Sequence, residues 1–199
     1  RINEWVRLDP QEKRKGSSAW SYYYFLESLA DTSEFKDLCP LSDKKKDKEK
    51  DIEYILKLFA YCENYNAYDS KPTRLLDTYM QWMVNLEDKE KEKYIHKIWQ
   101  QTTLFNSIMK IVKDTLWNFL APSNTSVSGQ RFEGIAVGIA LALKEKNAEE
   151  LNLDGFKDFV DSKEYLTKTT VRGGANNTNH FQERIESVKT FLLLDAWKK

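Results

Sequence analysis

The chain has 199 residues, with 31 basic and 31 acidic side chains and a formal net charge of zero; a free-standing nucleic-acid binder shows a basic excess, which this balance lacks. Hydrophobic residues at 41% and aromatics at 13% suffice for a packed core and exclude a disordered polyampholyte. Seven glycines and four prolines leave room for long helices and exclude a sandwich or barrel built from many turns.

The opening Arg1-Ile2-Asn3 has no methionine and no leader, and reads as the middle of a protein. Asp9-Pro10-Gln11-Glu12 is a helix start, because Asp9 can cap, Pro10 suits the first helical position and Glu12 sits where a capping box needs it. That short helix runs to about Gly16. A second covers Ala19 to Ala30, with Tyr22, Phe25, Leu26 and Leu29 on its buried stripe. Trp20 to Phe25 are aromatic or polar all round this helix, so part of the run is left for solvent or a partner. Ser33 to Leu38 adds a further turn or two, ended by Cys39-Pro40.

The run Lys44 to Asp51 reads as a solvated loop feeding a helix rather than a phosphate patch, since acids interrupt its lysines. The helix from about Lys48 to Tyr65 carries Ile52, Ile55, Leu56, Phe59 and Ala60 at i, i+3, i+4, i+7 spacing. Another starts at Pro72 and carries Leu75, Leu76, Tyr79, Met80 and Met83. Asn85 is placed to cap a long helix from Leu86 to Leu120, which Ala121-Pro122 stops. After a Ser/Asn/Gly loop, Phe132 to Lys146 is so apolar, and so rich in small residues (Gly134, Gly138, Ala140, Ala142), that it belongs at the centre with neighbours in close approach. Short helices follow at Leu153 to Asp161 and Ser162 to Lys168, then a loop from Thr169 to Asn177 and a last helix from Thr178 to Trp197. The fold expected is all-α: one helical domain over 1–199, with residues 1–16 as a hinge and 19–197 as an orthogonal bundle of about seven to nine helices including one long central helix.

Cys39 and Cys62 are expected to be free thiols in a cytoplasmic setting, and no apolar run reaches the length of a membrane span. His96 and His180 have no partner at metal-ligand spacing, so no metal site is expected. No Walker motif, dinucleotide fingerprint or nucleophile elbow is present, and no catalytic residue is assigned. One loop has chemical potential. Lys168, Arg172, Gly173 and Gly174 precede a helix N-terminus, combining positive charge, close backbone approach and free N–H groups, as an anion site would. An ordinary flexible loop ending in a helix cap has the same residues.

Several segments together resemble the GmrSD family of modification-dependent restriction and anti-phage proteins. Arg1-Ile2-Asn3, Leu8, Gln11, Glu12 and Arg14 match its hinge; Leu56-Lys57-Leu58-Phe59-Ala60 with Tyr65 and Tyr68 looks like its "LRFLA…Y" helix; Leu75 to Met80 is similar to its "FLDxYM"; the apolar helix from Phe132 and the closing Arg184-Ile185-Glu186 follow in order. The departures are Glu4-Trp5-Val6 in place of hinge glycines, Lys15 for asparagine and Lys57 for an arginine whose planar fork a lysine does not reproduce. The family's DGQQR motif is not in this sequence.

The resemblance implies the helical region of a nucleotide-dependent restriction protein, not catalytic alone, that braces and signals from an upstream nucleotidase half. Nucleoside triphosphate and a divalent metal belong to that parent protein rather than to this segment. A nuclease domain and DNA are the further partners implied. Asn3, Gln11, Glu12 and Arg14 would contact the nucleotidase half, with Glu12 and Arg14 forming either an interdomain ion pair or an acid and base near a phosphate. The alternative is a non-catalytic α-helical scaffold that binds a protein partner through Trp20 to Phe25.

Overall fold

The computed structural model describes residues 18–46 and 49–194; the hinge residues Asn3, Gln11, Glu12 and Arg14 lie outside them. These residues form an all-α fold with no strand among them. In chain order the helices are α1 (Ser18–Ala30), α2 (Ser33–Leu38), α3 (Asp43–Lys46), α4 (Lys50–Asn64), α5 (Pro72–Lys89), α6 (Lys91–Thr115), α7 (Gly129–Leu143), α8 (Phe156–Asp161), α9 (Lys163–Thr169) and α10 (Thr178–Leu193), with short 3-10 turns at Tyr65–Ala67 and Ala148–Glu150.

The centre is α7. From Arg131 to Ala142 every residue is buried, so this helix has no solvent face. Its start is set by Ser128, whose side chain accepts from the Arg131 N–H. It begins three residues before the apolar run suggests, because the cap precedes the hydrophobic stretch. Small residues let α10 close on it: a Cβ added at Gly138 would stand 2.6 Å from Val188 Cβ and 2.9 Å from the Ile185 carbonyl oxygen. On its other flank α7 packs against α4. Phe132 anchors this side, its ring 5.0 Å from Tyr54 and 4.9 Å from Phe119.

The break between α5 and α6 falls at Glu90, five residues after the expected cap at Asn85. Leu86 explains the shift: it is buried and extends the α5 stripe of Leu75, Tyr79 and Met83, so the helix is held until that contact is made. Tyr94 is the first buried residue of α6, and the charged run between them makes the turn. The longest helix, α6, packs mainly on α5, α2 and α7 and also reaches α1 and α4 through Gln101 and Lys97, while Ile95, Trp99, Thr103, Asn106 and Lys110 are exposed on its outer side.

Polar side chains also enter the core. Tyr22 of α1 donates to Gln101 Oε1 of α6 at 3.1 Å, and Gln101 Nε2 donates to Tyr79 Oη of α5 at 2.5 Å, so three helices share one buried chain. Arg131, at the start of α7, donates to the carbonyls of Phe119 and Val160 and to Asp161 Oδ1, at 2.9, 2.6 and 2.7 Å, and pins α8 and the loop after α6.

Candidate functional site

A cavity of about 330 Å³ opens between α4, the first turns of α5 and the loop before α10; Lys50, Glu53, Lys57, Thr73, Asp77 and Asn176 are among its lining residues. From its wall a chain of charges runs inward, half-buried at Glu53 and Lys57 and fully buried at Glu133 and Arg184. Lys57 Nζ bridges Glu53 Oε1 at 3.1 Å and Glu133 Oε1 at 2.9 Å, and Glu133 Oε2 accepts from Arg184 Nη2 at 2.7 Å. Lys50 closes the outer end on Glu53. Arg184 is fully buried, and its Nη1 donates to the Ala175 carbonyl at 2.8 Å. The chain therefore runs from the cavity, through α4 and α7, to α10 and back to the loop on the cavity's rim.

Helical geometry sets these positions. Lys50, Glu53 and Lys57 are spaced i, i+3, i+7 and share one face of α4. Glu133 lies one turn into α7, where an otherwise apolar helix brings a carboxylate between two cations. Burial alone would raise the Glu53 carboxyl, but the Lys57 and Lys50 ammoniums outweigh it and hold its pKa below the ordinary value. Burial would lower the Lys57 ammonium, but Glu133 and Glu53 outweigh it and hold its pKa above the ordinary value. Both groups stay charged through the neutral range, which suits them to orient a polar ligand and not to shuttle protons.

The loop Thr170 to Asn177 is held by its carbonyls. Gln130 Nε2 donates to the Val171 oxygen at 3.0 Å, Arg184 to that of Ala175, and Tyr68 Oη to that of Asn176 at 2.9 Å. Gly173 and Gly174 adopt φ of +72° and +64° with open space where a Cβ would stand. Of the residues singled out for an anion site, Lys168 is engaged elsewhere, as are two N–H groups at the start of α10. Lys168 Nζ pairs with Glu164 and donates to Ser187 Oγ at 2.9 Å. At the start of α10, Thr178 N donates to Ser70 Oγ and Asn179 N to Asn177 Oδ1, each at 2.9 Å. Arg172 is exposed. The structure thus brings Asn176 of this loop to the cavity, while the Lys168 ammonium is held at α10.

The other residues considered are bland. His96 is exposed and its ring stacks on Trp99; His180 pairs with Glu183 at 3.5 Å. Among the described residues no group of His, Cys, Asp or Glu could hold a metal ion, and no helix is long and apolar enough to cross a membrane. Cys39 and Cys62 are free and buried. Within α1, Tyr22 and Tyr23 enter the core and Phe25 stacks on Phe59, leaving Tyr24 exposed. Glu53, Glu133 and Asn176 are the cavity and network residues that sequence reasoning passed over. A carboxylate in the apolar run Phe132 to Leu143 was the available signal, because a buried charge needs partners. Compared with protein-family models, with curated proteins and with solved structures, the chain matches none.

Proposed function

We propose that this chain is the helical part of a GmrSD-like, nucleotide-dependent DNA restriction and anti-phage protein, and that the cavity of Lys57, Asp77 and Asn176 is where it meets and senses a nucleotidase half. One observation supports the reading most. Three segments that carry the resemblance are far apart in sequence, yet Lys57 and Asp77 line the same cavity and Arg184 stands behind it, joined to Lys57 through Glu133. A purely structural role for those segments requires buried apolar stripes; it does not require their charged members to converge. The charge chain also gives the cavity a route to α7 and α10, as a relay of bound state would need.

The test uses the natural protein. Its reading frame is expected to include a DGQQR-bearing segment, and the purified protein is expected to hydrolyse a nucleoside triphosphate. Asp77→Asn is expected to lower that hydrolysis at least about tenfold, as mispositioning does, with the circular dichroism unchanged. A frame without such a segment, in a protein that neither hydrolyses nucleotide nor associates with a nucleotidase, refutes the reading.

A further inference from the structure

The first half of α5 has a second side. Leu75, Thr78, Tyr79 and Trp82 fall at i, i+3, i+4 and i+7 and share one face of that helix. Leu75 and Tyr79 are buried there, whereas Thr78 and Trp82 are exposed. This face and the end of α4 enclose a cavity of about 420 Å³, which has no lining residue in common with the cavity of Lys57 and Asp77. Small-molecule sites run from roughly 300 to 1,000 Å³, so this one suits an occupant of one or two rings.

The indole of Trp82 is 41% exposed, yet held: the Tyr79 ring stands 5.5 Å from it and the Lys97 ammonium 5.8 Å from its centroid. The charges around the cavity cancel in pairs. Glu63 pairs with Lys97 Nζ at 2.6 Å, and Asp69 pairs with Arg74. A charged occupant would therefore lose hydration without meeting an unpaired opposite charge. Two polar groups on the wall are unengaged. Asn64 Nδ2 donates to the Ala60 carbonyl at 3.1 Å, which leaves its Oδ1 as an acceptor, and the Thr78 hydroxyl has no hydrogen bond among the described residues.

We propose that this cavity binds a small uncharged heteroaromatic molecule, its ring stacked on Trp82 and its polar edge on Asn64 Oδ1 and the Thr78 hydroxyl. A flat, exposed indole that is already held in place favours a flat partner. A purely aliphatic occupant would cover Asn64 and Thr78 with nothing to bond them. A sugar has hydroxyls round its whole rim, and two unengaged groups would leave most of them unpaired. A phosphorylated or cationic ring would meet only charges that already have partners. Occupancy here is independent of the function proposed above, which concerns the other cavity.

The test is isothermal titration calorimetry of the 199-residue chain with nicotinamide, a ring whose charge can be changed with little change of shape. Nicotinamide is expected to bind, and both the nicotinate anion and the ring-N-methylated cation to bind at least about 10-fold more weakly. Adenine as a second titrant separates a two-ring base from a one-ring amide, and binding of either supports the class. Trp82→Ala is expected to weaken binding at least about 5-fold, with Trp82→Phe recovering part of the loss. Thr78→Val is expected to weaken it between about 2-fold and 13-fold. Trp99→Ala, which removes an indole 65% exposed on α6, is expected to leave the affinity unchanged. Circular dichroism checks that each variant is folded. No binding of either ring by the unaltered chain, equal binding of the three charge forms, binding that survives Trp82→Ala in the folded variant, or binding of glucose in place of the rings each overturns the proposal.

Discussion

Neutralising Glu133 tests the buried charge chain at its middle. In Glu133→Gln the side chain keeps its shape and loses the charge that holds Lys57 at 2.9 Å and Arg184 at 2.7 Å. Arg184 is then a fully buried guanidinium whose remaining described hydrogen bond is to one carbonyl, that of Ala175. Breaking a buried pair by removing one charge costs about 3–5 kcal/mol. The lower end is expected here, about 3 kcal/mol, because Lys57 keeps Glu53 and the glutamine still offers one carbonyl oxygen. Domains of this size have about 5–15 kcal/mol in total, so the loss is large but survivable. Urea unfolding followed by far-ultraviolet circular dichroism at neutral pH reads it as a fall in midpoint of about 1–3 M. In an Arg184→Met background the same substitution is expected to cost at least about 1 kcal/mol less, since the orphaned cation is gone. A loss below about 1 kcal/mol in the single variant, or equal losses in both backgrounds, refutes the claim that Glu133 holds two cations in the core.

Gly138→Ala is expected to cost about 1–3 kcal/mol in the same assay, because its Cβ meets the Ile185 backbone oxygen and the stiff branched Val188; an unchanged midpoint would show that α7 and α10 can separate freely. Tyr165→Phe is expected to stabilise the fold by about 1 kcal/mol, since the hydroxyl is buried with no hydrogen-bond partner among the described residues, and a loss of stability would reveal one. Stability is expected to be flat from about pH 5 to pH 8.5 and to fall on both sides, as read by unfolding midpoints. On the acid side, the lowered pKa of Glu53 means its contribution is present above the ordinary glutamate range and is lost as pH drops through the folded value. On the alkaline side, burial pushes the Cys62 thiol up to about 12, so the unfolded chain sheds its proton first and is favoured as pH rises past the ordinary thiol value. A midpoint that rises between pH 9 and pH 10 contradicts the burial of that thiol.

The helices were legible where an apolar period ran against a clear stop. Ser18–Ala30, Ser33–Leu38 and the start of α5 at Pro72 stand within a residue of where pattern and breakers put them. The α5–α6 boundary was not legible, because Asn85 is a good cap by composition but lies one residue before Leu86, whose burial is a tertiary fact. The central position of α7 followed from its composition, since a helix apolar all round has to be covered all round. The longest helix was expected at the centre too, yet α6 is the one with an open face. The cavity could be read only in part. Lys57 stood out as a departure within a motif, but its partners come from positions 53, 133 and 184, and no periodicity links those. The glycine loop drew attention for the charges around it, whereas the structure uses its carbonyls and its Asn176.

That inverted use of the loop has a mechanical consequence. One guanidinium, Arg184, holds both the Ala175 carbonyl on the cavity rim and the Glu133 carboxylate inside the central helix. The loop therefore cannot be drawn outward by an occupant of the cavity without either breaking a charge-assisted bond in the core or carrying α10 along with it. With Gly138 pressed against α10, that movement passes directly to the axis of the molecule. The rim behaves less as a flap than as the short arm of a lever, with its fulcrum in the packed interior.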